Sequence, residues 1–274
     1  MPQAVLERAR GAVHMAVMNW AKIAAPVLIA AALIIAFAVA ARTQGVRDHP
    51  CEQRRFEGSR FIVCTFDTAR HELRLASRDD GGAYLRDFDA LSGTLGADAG
   101  RLRFAMNAGM FNDAGAPIGL YVESGEQRHP LRLTEGPGNF HMKPNGVFWQ
   151  STDGAVHVTP SEEFASSARD ARWATQSGPM LVIAGELHPR FQHDGPSRYI
   201  RNGVGVRDGR RAYFVISSGA VSFGRFAHFF RDELDCTDAL FFDGAVSSLW
   251  APSLDRRDDA HAIGPMVVVL DRPS

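Results

Sequence analysis

Short runs of β-branched and aromatic residues recur along the chain, and each run stops at a cluster of turn-forming residues. Runs of this length and composition predict strands. The turn sequences at 151–154 and 208–209 each separate two such runs, which predicts two hairpins. The predicted strands are 61–66, 102–106, 117–122, 146–149, 156–159, 180–184, 186–187, 204–206, 212–217, 239–242 and 266–270.

One helix is predicted from apolar residues spaced at helical intervals, with Ser222 as its N-cap. It covers 223–235 and lies between two predicted strands, 212–217 and 239–242, so these three elements form a β-α-β unit with parallel neighbouring strands. The predicted fold is therefore α+β, a single β-rich domain at 59–274 with a mixed sheet and a few helices. The apolar residues of the helix are Phe223, Phe226, Ala227, Phe230 and Leu234.

The N-terminal part has a different pattern. Residues 23–41 contain no charge, and a helix of that length spans about 28 Å, close to one hydrocarbon core. Residues 1–22 carry a net positive charge, so we expect a cytoplasmic head, a signal anchor in the inner membrane and an exported, periplasmic body. The alternative is a signal peptide cleaved after the small residues at 38–40, which would release a secreted form. Residues 42–58 are predicted to be a tether.

Composition narrows the class of protein. Apolar residues make up 45% and charged residues 22% of the chain, which excludes a disordered chain and a multi-span membrane protein. The formal net charge is −1, so the chain lacks the positive charge that is typical of nucleic-acid-binding proteins. Cys51 and Cys64 are spaced so that they could close a disulfide in an oxidising compartment, whereas Cys236 is expected to be a buried apolar residue. The sequence does not fix the oligomeric state.

Several signatures of known chemistry are absent. The sequence contains no G-x-S-x-G nucleophile elbow, no phosphate-binding G-x-x-x-x-G-K-[ST] loop and no H-E-x-x-H zinc motif. Its ten histidines show no metal-ligand spacing. We therefore predict no metal and no cofactor, with a Ca²⁺ ion held by carboxylates and backbone carbonyls as the open alternative, because such a site needs no fixed spacing.

Polar residues stand beside glycine at the ends of several predicted strands. Each of them alone is typical of a turn, but together they favour a cleft. Amides suit sugar hydroxyls, an arginine suits a phosphate, and an aspartate suits the anomeric centre of a sugar. The pattern therefore favours a sugar with an anionic substituent as ligand. These residues are Asn107, Lys143, Asn145, Gln176, Arg201, Asn202, Asp243, Ser247 and Ser248.

At these segments the chain resembles the phosphodiester glycosidase family, above all its exported bacterial branch. Two departures stand beside the expected site, where glycines common in sugar-cleaving members are replaced by Ala108 and by Ala245 and Val246. We expect the added side chains to reshape the pocket. The stretches that carry the resemblance are FAMNAGMF (104–111), PIGLYVESG (117–125), GPGNFHMKPNGVFW (136–149), ATQSGPMLV (174–182), RYIRNGVGV (198–206) and FFDGAVSSLWAP (241–252).

The resemblance implies a role for individual residues. Asp243 corresponds to the central catalytic carboxylate, and Arg201 to the anion clamp, with Ser247 and Ser248 beside it. Glu123 is the expected second catalytic carboxylate, with Asp113 as the alternative. The remaining expected substrate-binding residues are the amides Asn107, Asn145, Gln176 and Asn202, and Lys143 near the site.

The function that follows is hydrolysis of a sugar-1-phosphodiester, with a phosphorylated carbohydrate as substrate and the membrane as a second partner through the N-terminal helix. The leaving phosphomonoester has a second pKa of about 6, so it departs near neutral pH with little help from an acid. Inversion and retention of configuration both stay open. Two alternatives are a non-catalytic module that binds an acidic glycan and a metal-dependent phosphodiesterase.

Overall fold

The computed structural model describes residues 49–167 and 170–273. The predicted head, the predicted membrane span at 23–41 and the first part of the predicted tether, residues 42–48, lie outside these ranges. Within the two ranges, none of the helices combines the length and the apolar character needed to span a bilayer.

The described residues form strands joined by a few short helices. The helices are α1 (Phe88–Leu95), α2 (Ser161–Ser166) and α3 (Phe223–His228), and a π-helical turn (Phe229–Glu233) continues α3. The strands are β1 (Cys51–Phe56), β2 (Ser59–Asp67), β3 (His71–Ala76), β4 (Leu102–Asn107), β5 (Tyr121–Glu123), β6 (Glu126–His129), β7 (Gly146–Ser151), β8 (Val156–Pro160), β9 (Ala171–Ser177), β10 (Met180–Ile183), β11 (Glu186–Leu187), β12 (Asn202–Val206), β13 (Arg211–Ser217), β14 (Asp238–Asp243), β15 (Leu249–Ala251), β16 (Arg256–Arg257) and β17 (Met266–Asp271).

Three sheets account for these strands. The first has the order β1-β2-β13-β12-β14-β10-β11, the second β16-β15-β4-β17-β3, and the third β6-β5-β9-β7-β8. The predicted hairpins at 151–154 and 208–209 are confirmed as β7-β8 and β12-β13. The β-rich character and the small number of helices are confirmed as well.

The prediction of a mixed sheet is wrong. Every pair of neighbouring strands in the described residues is antiparallel, and β12 lies between the two strands predicted to be parallel neighbours, β13 and β14. Glycines on β12 explain the placement. A Cβ on Gly203 would lie 2.5 Å from the Leu240 carbonyl oxygen, and one on Gly205 would lie 2.6 Å from the Cys236 sulfur. Only a strand without these side chains fits beneath the segment that contains α3.

Aromatic side chains from all three sheets meet in one core. Phe66, Phe214 and Phe242 come from the first sheet, Phe104 from the second and Phe148 from the third. Phe214 lies at the centre, with ring centroids 5.4 Å from both Phe104 and Phe148. Burial of each ring contributes about 2–3 kcal/mol, so this cluster holds the sheets together.

The predicted helix is confirmed, and so is its cap. The Ser222 side chain accepts a hydrogen bond from the Arg225 backbone N–H at 3.0 Å. The apolar face of α3 packs on the outer side of the first sheet, where Phe226 contacts Phe61 and Phe230. The sheet is thus covered by the core on one face and by α3 on the other.

The strand β1 corrects the predicted tether, because residues 51–56 belong to the first sheet. Cys51 pairs with Cys64 of β2 in register, and a disulfide joins them, as their spacing suggested. Cys51 is the only fully buried residue of β1. β1 is an edge strand of polar composition without alternating apolar residues. For this reason the sequence pattern predicted a tether at these positions. The predicted burial of Cys236 is confirmed.

The close packing on β12 predicts the effect of one methyl group. Gly205→Ala places a Cβ 2.6 Å from both the Cys236 sulfur and the Phe230 ring, so we expect a loss of about 1–3 kcal/mol in unfolding free energy. Gly219→Ala is the control, because nothing lies within 4 Å of its added Cβ, and its effect should stay within about 0.5 kcal/mol. Denaturant unfolding of the purified variants measures both values. Equal stability of the two variants would contradict the packing described here.

Candidate active site

Asp243 is the last residue of β14, and its side chain turns onto the loop that follows. Its Oδ1 accepts hydrogen bonds from the backbone N–H groups of Gly244 at 2.6 Å, Ala245 at 2.9 Å and Val246 at 3.5 Å. Asp243 is only 9% exposed, and this burial raises its pKa, although the three N–H groups act in the opposite direction. One carboxylate oxygen is therefore fixed by the loop.

The other oxygen of Asp243, Oδ2, has no hydrogen-bond partner within residues 49–167 and 170–273. It is not sealed from solvent either, since it is not among the fully buried polar atoms that lack a partner. A carboxylate with one oxygen anchored and the other available can act on a bound molecule as a nucleophile or as a base.

Asn107 and Asn202 hold this carboxylate in place. The Asn202 amide donates to the Asn107 backbone carbonyl at 2.8 Å and to its side-chain oxygen at 3.0 Å. In return, the Asn202 oxygen accepts the backbone N–H of Asp243 at 3.1 Å, and the Asn107 amide donates to the Val246 carbonyl at 2.8 Å. Both amides are fully buried and occupied by these bonds, so they shape the 243–248 loop rather than face a ligand.

The two serines close the same loop. The Ser247 hydroxyl lies 3.1 Å from the Asp243 carbonyl oxygen and 3.2 Å from the Ile200 carbonyl oxygen, and it donates to one acceptor at a time. The Ser248 backbone N–H donates to the Asn107 side-chain oxygen at 2.8 Å. The predicted neighbourhood of Asn107, Asn202, Asp243 and the serines is thus present in the structure.

Arg201 is fully buried immediately before β12. Its Nε donates to the Val221 carbonyl at 3.0 Å, and its Nη2 donates to the backbone carbonyl and the hydroxyl of Ser197 at 2.9 and 3.0 Å. The remaining nitrogen, Nη1, is buried and has no partner. No carboxylate in the described part of the chain forms an ion pair with this guanidinium, and burial lowers its pKa to about 10, so it is still cationic at neutral pH.

Aromatic rings take the place of a counter-ion around Arg201. The guanidinium carbon lies 3.5 Å from the ring centroid of Phe223 and 5.2 Å from that of Phe241. The Nη1 atom lies 3.4 Å from the position that a Cβ on Gly244 would occupy. The unpartnered nitrogen therefore lies against the residue next to Asp243, so the loop that holds the carboxylate also covers the guanidinium.

Gln176 has a structural role that the sequence pattern did not distinguish from binding. Its side-chain oxygen accepts the backbone N–H groups of Leu120 at 2.9 Å and Arg132 at 3.0 Å. Its amide donates to the Arg132 carbonyl and to the Ser161 hydroxyl. All four hydrogen-bonding positions are used, so Gln176 has none left for a substrate. Asn145 is also fully buried, and its amide donates to the Phe140 carbonyl at 2.9 Å, but its side-chain oxygen has no partner within the described residues.

Glu123 is not beside Asp243. It ends β5, which pairs with β9 through Tyr121 with Thr175 and Val122 with Ala174, so Glu123 lies level with residue 173. Asp243 lies near the end of β9 that contains Ser177. The Ser177 hydroxyl donates to the carbonyl of Phe242, the residue before Asp243, at 2.8 Å. From residue 173 to Ser177 the strand extends for about 13 Å. Burial raises the pKa of Glu123, and the Ser77 hydroxyl donates to it at 3.4 Å, so it forms a separate local group.

Two further predicted residues have other surroundings in the structure. Lys143 forms an ion pair with Glu162 of α2, which commits its charge to a neighbouring helix. Asp113 is exposed in the turn where the Ala116 backbone N–H bonds to the Asn112 side chain. Within the described residues, neither proposed second carboxylate is thus bonded to the Asp243 side chain.

The departures from glycine do not fill the space between Asp243 and Arg201. Ala108 is buried in the central core, and Val246 packs against an apolar cluster that includes Phe88. Ala245 is exposed. The expectation that these side chains reshape the pocket finds no support in these positions.

Residues that hold Arg201 were missed from the sequence. Phe223 was assigned to the apolar face of α3, yet it is the ring on which the guanidinium stacks. Ser197 lies just outside the stretch 198–206 that carries the resemblance. A serine four residues before a buried arginine gives no sequence signal, because its backbone carbonyl matters as much as its hydroxyl.

A preformed cation site is not evident in the described ranges. There, no three side chains of His, Cys, Asp or Glu come close enough together to share a metal ion. The expectation of a site without metal or cofactor stays a prediction.

Three antiparallel sheets, with a half-anchored carboxylate on a loop that lies against a buried guanidinium, define a β-rich domain. The chain belongs to the phosphodiester glycosidase family, whose model matches residues 100–270. The resemblance read from the motifs is therefore confirmed.

Individual relatives and solved structures show further likenesses. The chain is 37% identical over 151 residues to the uncharacterized protein YigE of Escherichia coli strain K12. The matched region is 55% of this chain and 59% of the length of YigE. The catalytic domain of zebrafish N-acetylglucosamine-1-phosphodiester alpha-N-acetylglucosaminidase has the same fold, with a TM-score of 0.58 and 13% identity over 81% of this chain and 82% of that one. A hypothetical protein from Synechocystis matches with a TM-score of 0.51 and 15% identity over 81% and 61% of the two chains.

The structural role of Gln176 predicts a stability effect. Gln176→Ala leaves the buried N–H of Leu120 without a partner, so we expect a loss of about 2–4 kcal/mol in unfolding free energy. Gln150→Ala is the matched control on β7, where a single bond to the Gly154 carbonyl is lost at a cost of about 1 kcal/mol. Thermal and denaturant unfolding measure both changes. A Gln176→Ala protein as stable as the control would show that Gln176 is not a structural hub.

Proposed function

We propose that this protein hydrolyses sugar-1-phosphodiesters, releasing the free sugar and a phosphomonoester. The observation that supports this most directly is the buried Arg201 guanidinium, whose Nη1 has no partner and faces the residue next to Asp243. Membership of the phosphodiester glycosidase family supports the same reaction class.

The charge of Arg201 needs an anion. A buried cation without a counter-ion costs several kcal/mol, and a bound phosphate recovers part of that cost through a charge-assisted hydrogen bond to Nη1. The Nε and Nη2 bonds to backbone carbonyls fix the plane of the guanidinium before any ligand arrives. Arg201 therefore binds the phosphate, and it stabilises the charge that grows on it as the glycosidic bond breaks.

Asp243 acts on the anomeric carbon. With the phosphate at Arg201, the bond between C1 and the bridging oxygen breaks, and its electron pair stays on the departing phosphomonoester. Oδ2 of Asp243 either attacks C1, forming a glycosyl ester that water then cleaves, or removes a proton from the attacking water. Because the phosphomonoester leaves without protonation, this reaction needs one carboxylate at C1.

The neutral substitution Asp243→Asn tests the reaction. Its oxygen can still accept the three loop N–H groups, so we expect turnover to fall by about 10²–10⁴-fold or more while the melting temperature at pH 7 is unchanged or higher. The assay incubates the protein with 1-phosphodiesters of N-acetylglucosamine, glucose and galactose and detects free sugar and phosphomonoester by NMR. An active Asp243→Asn protein would overturn the mechanism, and saturable binding without turnover in the unmodified protein would favour a non-catalytic module.

The same burial predicts the acid limb of the pH profile. Asp243 works as a carboxylate, and its pKa is raised above the ordinary 3.8. We expect kcat/KM to fall as the pH decreases through this raised pKa, because protonation removes the reactive form. A profile that stays flat down to pH 4 would contradict this assignment.

Arg201→Lys keeps the charge but loses the fork that faces both Ser197 and Gly244. We expect kcat/KM to fall by about 10²–10³-fold, because the developing phosphate charge loses its donor. Arg198→Lys is the control, an exposed arginine of the same segment that is paired with Asp194. Retention of full activity by Arg201→Lys, or an equal loss in both variants, would contradict the role of Arg201.

We further propose that the body is exported to an oxidising compartment and anchored by residues 23–41. The disulfide between Cys51 and Cys64 supports this, since such bonds are rare in the cytosol. Denatured protein from cells trapped with an alkylating agent should show one free thiol, Cys236, and three only after reduction. Three free thiols before reduction would contradict export.

A further inference from the structure

A concavity of about 280 Å³ lies where the β1-β2 hairpin meets the loop that follows β13. The hairpin contributes Arg55, Ser59 and Arg60 to its wall, and the loop contributes residues 218–221. Among the described residues, no aspartate or glutamate lines it. The charged side chains of the wall are therefore two cations, which we call the arginine pair.

The arginine pair is held close together by the strand register. Arg55 of β1 and Arg60 of β2 are directly opposite each other in the antiparallel ladder. Residues at such positions point to the same face of the sheet, with Cβ atoms about 4.5–5.5 Å apart, and like charges there destabilise the pairing. Both side chains are exposed, so water lowers the repulsion, but no counter-charge of the wall removes it.

The hairpin cannot relieve this repulsion by a shift in register. Its strands are joined by a two-residue turn, Glu57 and Gly58, with φ values of 45° and 77°. Positive φ at both positions is typical of a type I′ turn, which fixes the pairing of the flanking strands. At the other end of the hairpin, a disulfide joins Cys51 and Cys64, which are also directly opposite each other. The two guanidinium groups are thus placed side by side from both ends.

The acidic residues of the same hairpin are committed to other groups. The Glu57 carboxylate bonds to the His193 ring at 2.6 Å and lies 3.8 Å from the Arg225 guanidinium. Glu52 forms an ion pair with Arg54 at 2.6 Å. Within residues 49–167 and 170–273, neither member of the arginine pair forms an ion pair with a carboxylate.

Neutral donors complete the wall. In the described part of the chain, the hydroxyls of Ser59 and Ser218 and the backbone N–H groups of residues 219–220 have no hydrogen-bond acceptor. Oxyanions accept hydrogen bonds from guanidinium groups and from backbone N–H groups, and such charge-assisted bonds are stronger than neutral ones. The wall therefore offers donors of three kinds and two positive charges to a single anion.

We propose that this concavity binds the phosphate group of a compact phosphate monoester, with Arg55 and Arg60 as its two guanidinium ligands. A phosphate monoester carries about −1.5 to −2 charges at neutral pH, which matches the arginine pair. The volume lies just below the roughly 300–1,000 Å³ of typical small-molecule sites, so it admits the phosphate and a small attached group. The site does not depend on the proposed hydrolysis, because neither arginine belongs to the loop that holds Asp243.

Titration of methyl phosphate into the full-length, ¹⁵N-labelled protein in phosphatidylcholine nanodiscs tests the proposal. We expect saturable NMR shifts of the backbone amides at 218–220. Arg55→Gln and Arg60→Gln should each weaken this binding about tenfold, as for one lost charge-assisted hydrogen bond. Arg54→Gln is the matched control, because it removes the same charge from the next residue of β1, where the guanidinium is paired with Glu52. Its effect on the affinity should stay below about twofold at physiological ionic strength.

Two results would overturn the proposal: no saturable shifts at 218–220, or equal affinities for Arg54→Gln and Arg55→Gln. The amides at 244–246, which bond to Asp243, report separately on the proposed active site, so a failure there is distinguishable from a failure here.

The phosphate can come from a soluble ester or from a lipid headgroup, and the same titration distinguishes these sources. Nanodiscs that also contain phosphatidic acid present the monoester on the membrane. Weaker binding of methyl phosphate in these nanodiscs would support the proposal with a lipid headgroup as the ligand. Unchanged binding that still requires the arginine pair would support it with a soluble ester.

Discussion

The hydrogen bonds between Asn202 and Asn107 are the constraint on which the site depends. Asn202 begins β12 in the middle of the first sheet, and Asn107 ends β4 in the second. Their side chains join the two sheets and, at the same time, hold the backbone of Asp243 and the carbonyl of Val246. The position of the carboxylate is therefore set by the packing of sheets rather than by the loop alone, which keeps it fixed before a ligand binds.

The asparagine bonds support both the fold and the site, whereas the buried charge of Arg201 lowers the stability of the fold. Its guanidinium is satisfied on two sides by backbone carbonyls and stacked on Phe223, but one nitrogen is left without a partner. A methionine of similar length would lower the desolvation cost. In the function proposed above, the missing partner of this nitrogen is the phosphate of the substrate.

Local features of the fold could be predicted, and long-range ones could not. The β7-β8 and β12-β13 hairpins follow from their turn sequences, and α3 from its apolar spacing and Ser222 cap. The antiparallel order around β12 depends on contacts of Gly205 with Cys236, which no local pattern contains. The polar edge strand β1 was missed because an edge needs few apolar residues.

The same distinction between local and long-range information applies to the candidate site. Asp243, Arg201 and the two asparagines were predicted as neighbours because motif order carries that information. Gln176 has the same sequence pattern, a polar residue next to glycine at a strand end, yet its partners are backbone groups of Leu120 and Arg132. A buried amide that binds a ligand and one that satisfies a loop look alike in sequence, because the loop's path is not local.

The central claim is that the bond between C1 of the sugar and the bridging oxygen breaks, with Asp243 at the carbon and Arg201 at the phosphate. Hydrolysis in water labelled with ¹⁸O tests it most directly, because cleavage on either side of the bridging oxygen gives the same two products. The account predicts that the label appears in the hydroxyl at C1 of the released sugar. Label in the phosphomonoester would show that water attacks phosphorus, which would contradict the assignment of Asp243 to the anomeric carbon.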